Sequence, residues 1–161
     1  SKQSIGNYPT PTKTPNQPNT ENKHMTATAI DTTDNNHARD VAYSTAAHIA
    51  RLIRLRNRCN AADHNDWAEA IQQQIDEMPL SVLVRSDWHA PGDAGEAGEY
   101  EILLSTGGPA VRITGPLNQW DEPDDAFLQC QDWGTPWQPV ALDHDTQLAL
   151  QDFAQNFWFG A

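Results

Sequence analysis

YEILLSTGGPAVRITGPLNQWDEPDDAFLQCQDWGTPW, residues 100–137, decides the fold. Tyr100, Ile102 and Leu104 alternate with Glu99, Glu101 and Leu103, the period of a strand with one buried face. Gly107-Gly108-Pro109 is a turn, and Val111 and Ile113 then alternate around Arg112. Gly115-Pro116 opens a connection through Asp121-Glu122-Pro123, and residues 126–132 read as a further strand. Short links between consecutive strands favour antiparallel pairing, so the block predicts a meander.

Before this block, Leu80, Val82 and Val84 alternate with Ser81, Leu83 and Arg85 and add a strand ahead of the Gly- and Pro-containing loop at residues 89–98. Val41, Thr45, Ile49 and Ile53 recur every four residues and predict a helix over residues 37–58. A second helix starts near Asp63 or Asn65, either able to cap it, carries Trp67, Ile71, Ile75 and Met78 on one face, and stops at Pro79. The last helix runs from Asp143 or Asp145 to Phe159, with Gly160 able to end it. The expected fold is α+β in the order α-α-β-β-β-β-α. An N-terminal helical hairpin precedes a four-stranded antiparallel meander sheet, and a C-terminal helix packs on that sheet. One sheet face is covered by helices and the other is partly wet.

The 161 residues suit one domain. Residues 1–36, rich in Pro, Asn and Thr, read as an unstructured tail, and residues 37–161 as a single α+β domain. Met25 follows His24, so residues 1–24 read either as a non-native extension or as a flexible native tail. The net charge of −12 is unevenly spread: the tail is neutral, and residues 37–58 carry +4 from five arginines and Asp40. Residues 59–161 carry −16, with Arg85 and Arg112 as their only cations besides histidine. Such a body repels nucleic acid and attracts basic surfaces, although a solvated surface is the plainer explanation. No lysine follows Lys23, which excludes P-loop, Schiff-base and kinase-type chemistry from the domain. Cys59 and Cys130 make no disulfide framework, no stretch is apolar enough to span a membrane, and no secretory signal is visible. The expected setting is the reducing cytoplasm.

ILLSTGGPAVRITG (residues 102–115), QDWGTPW (131–137), FAQNFWFG (153–160) and VRSDWHAPG (84–92) together resemble an uncharacterised family of small proteins from proteobacterial genomes, phages and mobile elements. The resemblance covers residues 80–160 and not the two N-terminal helices. It implies an α+β fold and a mobile-element setting, and it brings no reaction, cofactor or catalytic residue. A mobile-element setting favours counter-defence proteins that act by binding a host effector; that link is association, not physics.

Each candidate chemistry has a plain structural rival. Trp133 and Trp137 are interface anchors or plugs for the sheet end, at least one of them structural. Asp132 is better read as an Asx cap than as an acid–base group. Asp87 and His89 fall on one strand face and could serve general-base catalysis with Ser105, Thr106 or Cys130 as the nucleophile; a hydrogen-bonded surface histidine is the rival. No histidine or cysteine spacing suits a metal, so neither metal nor cofactor is expected. Arg112 points away from Val111 and Ile113 and is expected, like Arg85, to form an ion pair within the fold. The basic run at residues 51–58 is expected to meet acidic surface of this chain or a second copy rather than nucleic acid.

The expected function is therefore a non-enzymatic acidic binding protein of phage or mobile-element type. It would inhibit a host defence or nucleic-acid-handling factor, in the manner of anti-CRISPR or anti-restriction proteins. The expected contact residues are Glu96, Glu99, Glu101, Trp120, Asp121, Glu122, Asp124, Asp125, Trp133 and Trp137. The partner is a protein with a basic surface, with no direct nucleic-acid or membrane binding. Two alternatives stand beside it: a small hydrolase or transferase using His89, Asp87 and Cys130, and an assembly or regulatory module that homodimerises through the N-terminal helices.

Overall fold

Alanines at a spacing of four residues set how the layers meet. Ala38, Ala42, Ala46 and Ala50 are all buried on one face of the first helix, with Ile49, Leu52 and Ile53 beside them. Small side chains let that helix lie close to what it covers, and the isoleucines and leucine fill the remaining space. The computed structural model describes residues 32–86, 88–93 and 95–160. The element order is α1 (Thr32–Ala61), α2 (Asn65–Asp76), β1 (Ser81–Ser86), β2 (Ala97–Ser105), β3 (Ala110–Pro116), β4 (Phe127–Gln131), β5 (Gln138–Pro139) and α3 (His144–Ala154).

The strands form one five-stranded antiparallel sheet in the order β1-β2-β3-β4-β5, an unbroken meander. The expected four strands are present; the fifth is the two-residue Gln138–Pro139 ladder, too short to leave a sequence period. In register, Val82 faces Ile102, Ile102 faces Ile113, and Ile113 faces Leu128, so one row of branched side chains crosses four strands. With Tyr100, Val111 and Cys130 that row forms the helix-facing side, and α1 packs on β3, β4, α2 and α3.

Several boundaries differ from expectation. α1 starts at Thr32, earlier than residue 37, and the rest of the expected tail, residues 1–31, lies outside the described residues. Val41 and Thr45 are only half-buried, because the alanine row takes the inner face. Neither Asp63 nor Asn65 caps α2: His64 occupies the N-cap without a side-chain bond, and Asp63 turns the chain with φ 56°. The buried face of α2 is Ala68, Ile71 and Ile75, and Trp67 is 72% exposed. Asp143 does cap α3, accepting from Thr146 N at 3.0 Å. That helix stops at Ala154, not Phe159, where Asn156 Nδ2 donates to the carbonyls of Asp152 and Phe153. Phe157 and Phe159 then turn back inward: Phe157 meets Phe153 edge-on with centroids 5.1 Å apart, and Phe159 lies 4.8 Å from Tyr100.

One arginine ties the three helices together. Arg56 donates to Gln72 Oε1 on α2 at 3.0 Å, to Asn156 Oδ1 at 2.6 Å, and to Asp152 Oδ1 on α3 at 2.9 Å. The expectation that the basic run would meet acidic surface of its own chain holds for this residue.

Replacing Ala46, 1% exposed, with Leu tests the close approach of α1. The added methylenes have no space, so urea unfolding should show a loss of about 1–3 kcal/mol.

Candidate binding surface

Helices cover one face of the sheet; among the described residues no helix packs on the other, which carries the odd-numbered positions of β2 and the even-numbered positions of β3. Arg112 stands at its middle. It forms an ion pair with Glu101, donates through Nε to Gln129 Oε1 at 2.8 Å, and stacks its guanidinium 4.1 Å from the Trp137 ring centroid. A guanidinium so held is occupied, so the centre of the face is a structural network and not an anion site. Arg85 pairs with Glu99 nearer the edge. The ion pairing expected for both cations is present. Around this network lie two shallow hollows. One, of about 480 Å³, is bordered by Leu83, Arg85, Glu101, Thr114, Phe127 and Gln129. The other, of about 490 Å³, is bordered by Leu103, Ala110, Asp132, Trp133 and Trp137.

The antiparallel register sorts the expected contact residues into two ends. Glu99 pairs with Pro116, and Thr114 with Phe127, so the β1–β2 and β3–β4 loops share one end. That end gathers Glu96, Glu99, Trp120, Asp121, Glu122, Asp124 and Asp125. Ala110 pairs with Gln131, which puts Trp133 and Trp137 at the opposite end and leaves Glu101 between them. The ten residues therefore do not form one patch.

The acidic end is a built structure. Asn118 Oδ1 accepts from Trp120 N at 2.8 Å and Glu122 N at 3.1 Å, and Asn118 N donates to Glu122 O at 2.9 Å. Asp121 takes φ 59°, a left-handed conformation that aspartate tolerates better than most residues. Leu117 N donates to Gly98 O at 2.9 Å, fastening the loop to β2. Gln147 and Gln151 on α3 donate to the carbonyls of Ala126 and Asp124. The result is a hydrogen-bonded loop in which Trp120 is 69% exposed and Glu122 and Asp124 are exposed as well. Glu96 is exposed in the neighbouring loop. Not every acid here is free to bind. Glu99 and Glu101 are held by arginines, and Asp125 Oδ1 accepts from Ala126 N at 2.8 Å and Gln147 Nε2 at 3.3 Å.

Tyr100 anchors the same loop from below. Its hydroxyl donates to Asp125 O at 2.7 Å. Gly115 permits this, because a Cβ there would collide with the Asp125 carbonyl and lie 2.8 Å from the Tyr100 ring. Burial, with the Asp125 charge adding to it, pushes the Tyr100 hydroxyl well above the usual phenol range.

At the other end, Asp132 bonds the turn backbone, but to the next residue and not two residues on as in the expected Asx cap: its Oδ1 accepts from Trp133 N at 2.7 Å, and its carbonyl accepts from Thr135 Oγ1 at 2.9 Å. Trp137, half-buried on Arg112, fills the structural role expected of one tryptophan. Trp133 is exposed and rests against Gly108, whose missing side chain makes the contact possible.

His89 and Cys130 are not brought together. Cys130 is 3% exposed on the helix-facing side of β4, where burial raises its thiol pKa. His89 lies exposed in the β1–β2 loop at the acidic end, its Nδ1 3.2 Å from Ala90 O. Asp87 lies outside the described residues. Among the described residues no three His, Cys, Asp or Glu side chains are grouped to hold a metal, and no helix is long and apolar enough to cross a membrane. No protein-family model, curated protein or solved structure matches the chain.

The Tyr100 clamp has a pH signature. With the folded pKa raised, the stability it contributes is complete below the unfolded phenol value of about 10 and falls as pH rises above it. Urea unfolding at neutral and strongly alkaline pH should show a steeper alkaline loss for the native chain than for Tyr100→Phe. The variant should cost about 1 kcal/mol at neutral pH from the lost hydrogen bond.

Proposed function

We propose that the chain is a non-enzymatic binding protein whose acidic sheet end seats on a basic protein surface. The observation that supports this is the hydrogen-bonded β3–β4 loop, in which Trp120, Glu122 and Asp124 are all exposed at the same sheet end as exposed Glu96. Among the described residues these three acids have no cation partner. They therefore project unneutralised charge around an exposed aromatic anchor. Such a surface gains on-rate against a basic groove, while the aromatic side chain supplies contact area.

A groove of that sign is what nucleic-acid-handling proteins offer to phosphates. The reading is thus an inhibitor that occupies a nucleic-acid site, and the resemblance to mobile-element proteins makes a host defence factor the expected target. The reducing cytoplasm is the matching compartment, since Cys59 and Cys130 are both free.

The test is affinity capture from host lysate on the immobilised chain, repeated with Glu96→Lys, Glu122→Lys and Asp124→Lys combined, and separately with Trp120→Ala. The captured partner should be lost at high salt and displaced by duplex DNA. The triple variant should bind at least about tenfold more weakly, a change of about 1.4 kcal/mol, with its circular dichroism unchanged. A complex indifferent to salt and to charge reversal overturns the reading.

A further inference from the structure

The two edges of the sheet are unlike. β5 is two residues long and contains Pro139, which has no N–H to offer, so that edge is closed to further pairing. β1 is six residues long, SVLVRS, with no proline and no acid. Its only ladder is with β2, and among the described residues no strand pairs with its outer edge. Leu80, Leu83 and Val84 at this edge are 60%, 56% and 50% exposed. Devices that blunt a natural edge are nearly absent: Arg85 is the sole charge, and the register shift between Arg85 and Ser86 comes only at the end.

We infer that β1 is a strand-addition site and that its occupant is β1 of a second copy of this chain, paired antiparallel about a two-fold axis through Leu83. The sequence of the strand argues for a copy. In antiparallel pairing, residues directly opposite share a sheet face. Centring on Leu83 sets Leu83 against Leu83 on the open face and Val82 against Val84 on the helix side. Ser81 then meets Arg85, so no like charges are opposed. Centring one residue further on sets Leu83 against Arg85 and Val82 against Ser86, and loses the apolar match. Charge argues the same way, because two bodies of net charge −12 meet most easily along a strand that carries no acid. A two-fold contact is self-complementary and closes, so the product is a dimer with one continuous ten-stranded sheet, not a fibre. One strand edge and its flanking side chains bury an area at the small end of specific interfaces, so the expected state is a concentration-dependent monomer–dimer equilibrium.

Sedimentation velocity of the full chain over a concentration series tests this. The 17.9 kDa chain should shift toward twice that mass, and added salt should favour the dimer by screening repulsion, opposite to the salt response of the acidic sheet end. Leu83→Lys, at an exposed position, sets two lysines face to face and should leave a monomer with unchanged circular dichroism. Ser81→Glu should tighten the dimer across from Arg85, and Ser81→Arg should loosen it. Phe127→Lys, on the same open face but away from the edge, should dimerise as the native chain does. A native chain monomeric throughout, a Leu83→Lys variant that still dimerises through other surfaces such as the helices, or the two Ser81 variants moving together would each overturn the inference.

Discussion

The close seating of α1 on the sheet is the constraint on which the rest depends. Ala38, Ala42, Ala46 and Ala50 give the helix a flat inner side against β3 and β4, and Ile49 and Ile53 join the same buried cluster as the branched row of the sheet. Burying that row on one side commits every alternate residue of the same strands to the other side. The open face, its Arg112 network and its tryptophan-lined hollow are consequences of that commitment. So is the position of α3, whose Gln147 and Gln151 reach the backbone of the β3–β4 loop and hold the acidic end in shape.

Charge is arranged with the same economy. The acidic body has two arginines, and both pair with glutamates of β2, Arg85 with Glu99 directly opposite and Arg112 with Glu101 on the diagonal. Arg56 neutralises Asp152 where the helices converge. Internal pairing therefore falls on β2 and on the helix junction, and the loop acids Glu96, Glu122 and Asp124 keep their charge. Arg51, Arg54 and Arg58 remain exposed on α1, so opposite signs occupy different parts of one molecule.

The α+β architecture was legible in the sequence because Tyr100, Ile102, Val111, Ile113 and Leu128 follow a period of two and the flanking segments follow the helical one. What stayed illegible has physical reasons. Alanine carries little hydrophobic signal, so the true inner face of α1 was hidden behind Val41 and Thr45, which lie at its margin. Trp67 fits the period of α2 and yet stays outside, because the buried stripe runs through Ala68, Ile71 and Ile75. Phe157 continues the α3 pattern although the helix has ended, since a turn returns it to the same core. For the surface, the acidic loops were visible as composition. Their separation from Trp133 and Trp137 needed the register, and the tie from Tyr100 to Asp125 spans 25 residues with no local mark beyond Gly115.

The proposed edge pairing and the proposed acidic binding use different residues, and one geometry admits both. A two-fold axis through Leu83 runs the second sheet in the opposite direction, so the acidic end of one copy lies beside the tryptophan end of the other. The loops holding Glu96, Glu122 and Asp124 then point away from each other, and the largest concentrations of like charge are kept far apart. A parallel arrangement would stack those loops side by side against their mutual repulsion. A dimer formed in the antiparallel sense would carry two acidic ends facing opposite ways, each free to engage a basic groove, and the dimer's own stability would rise under the ionic conditions that weaken those contacts.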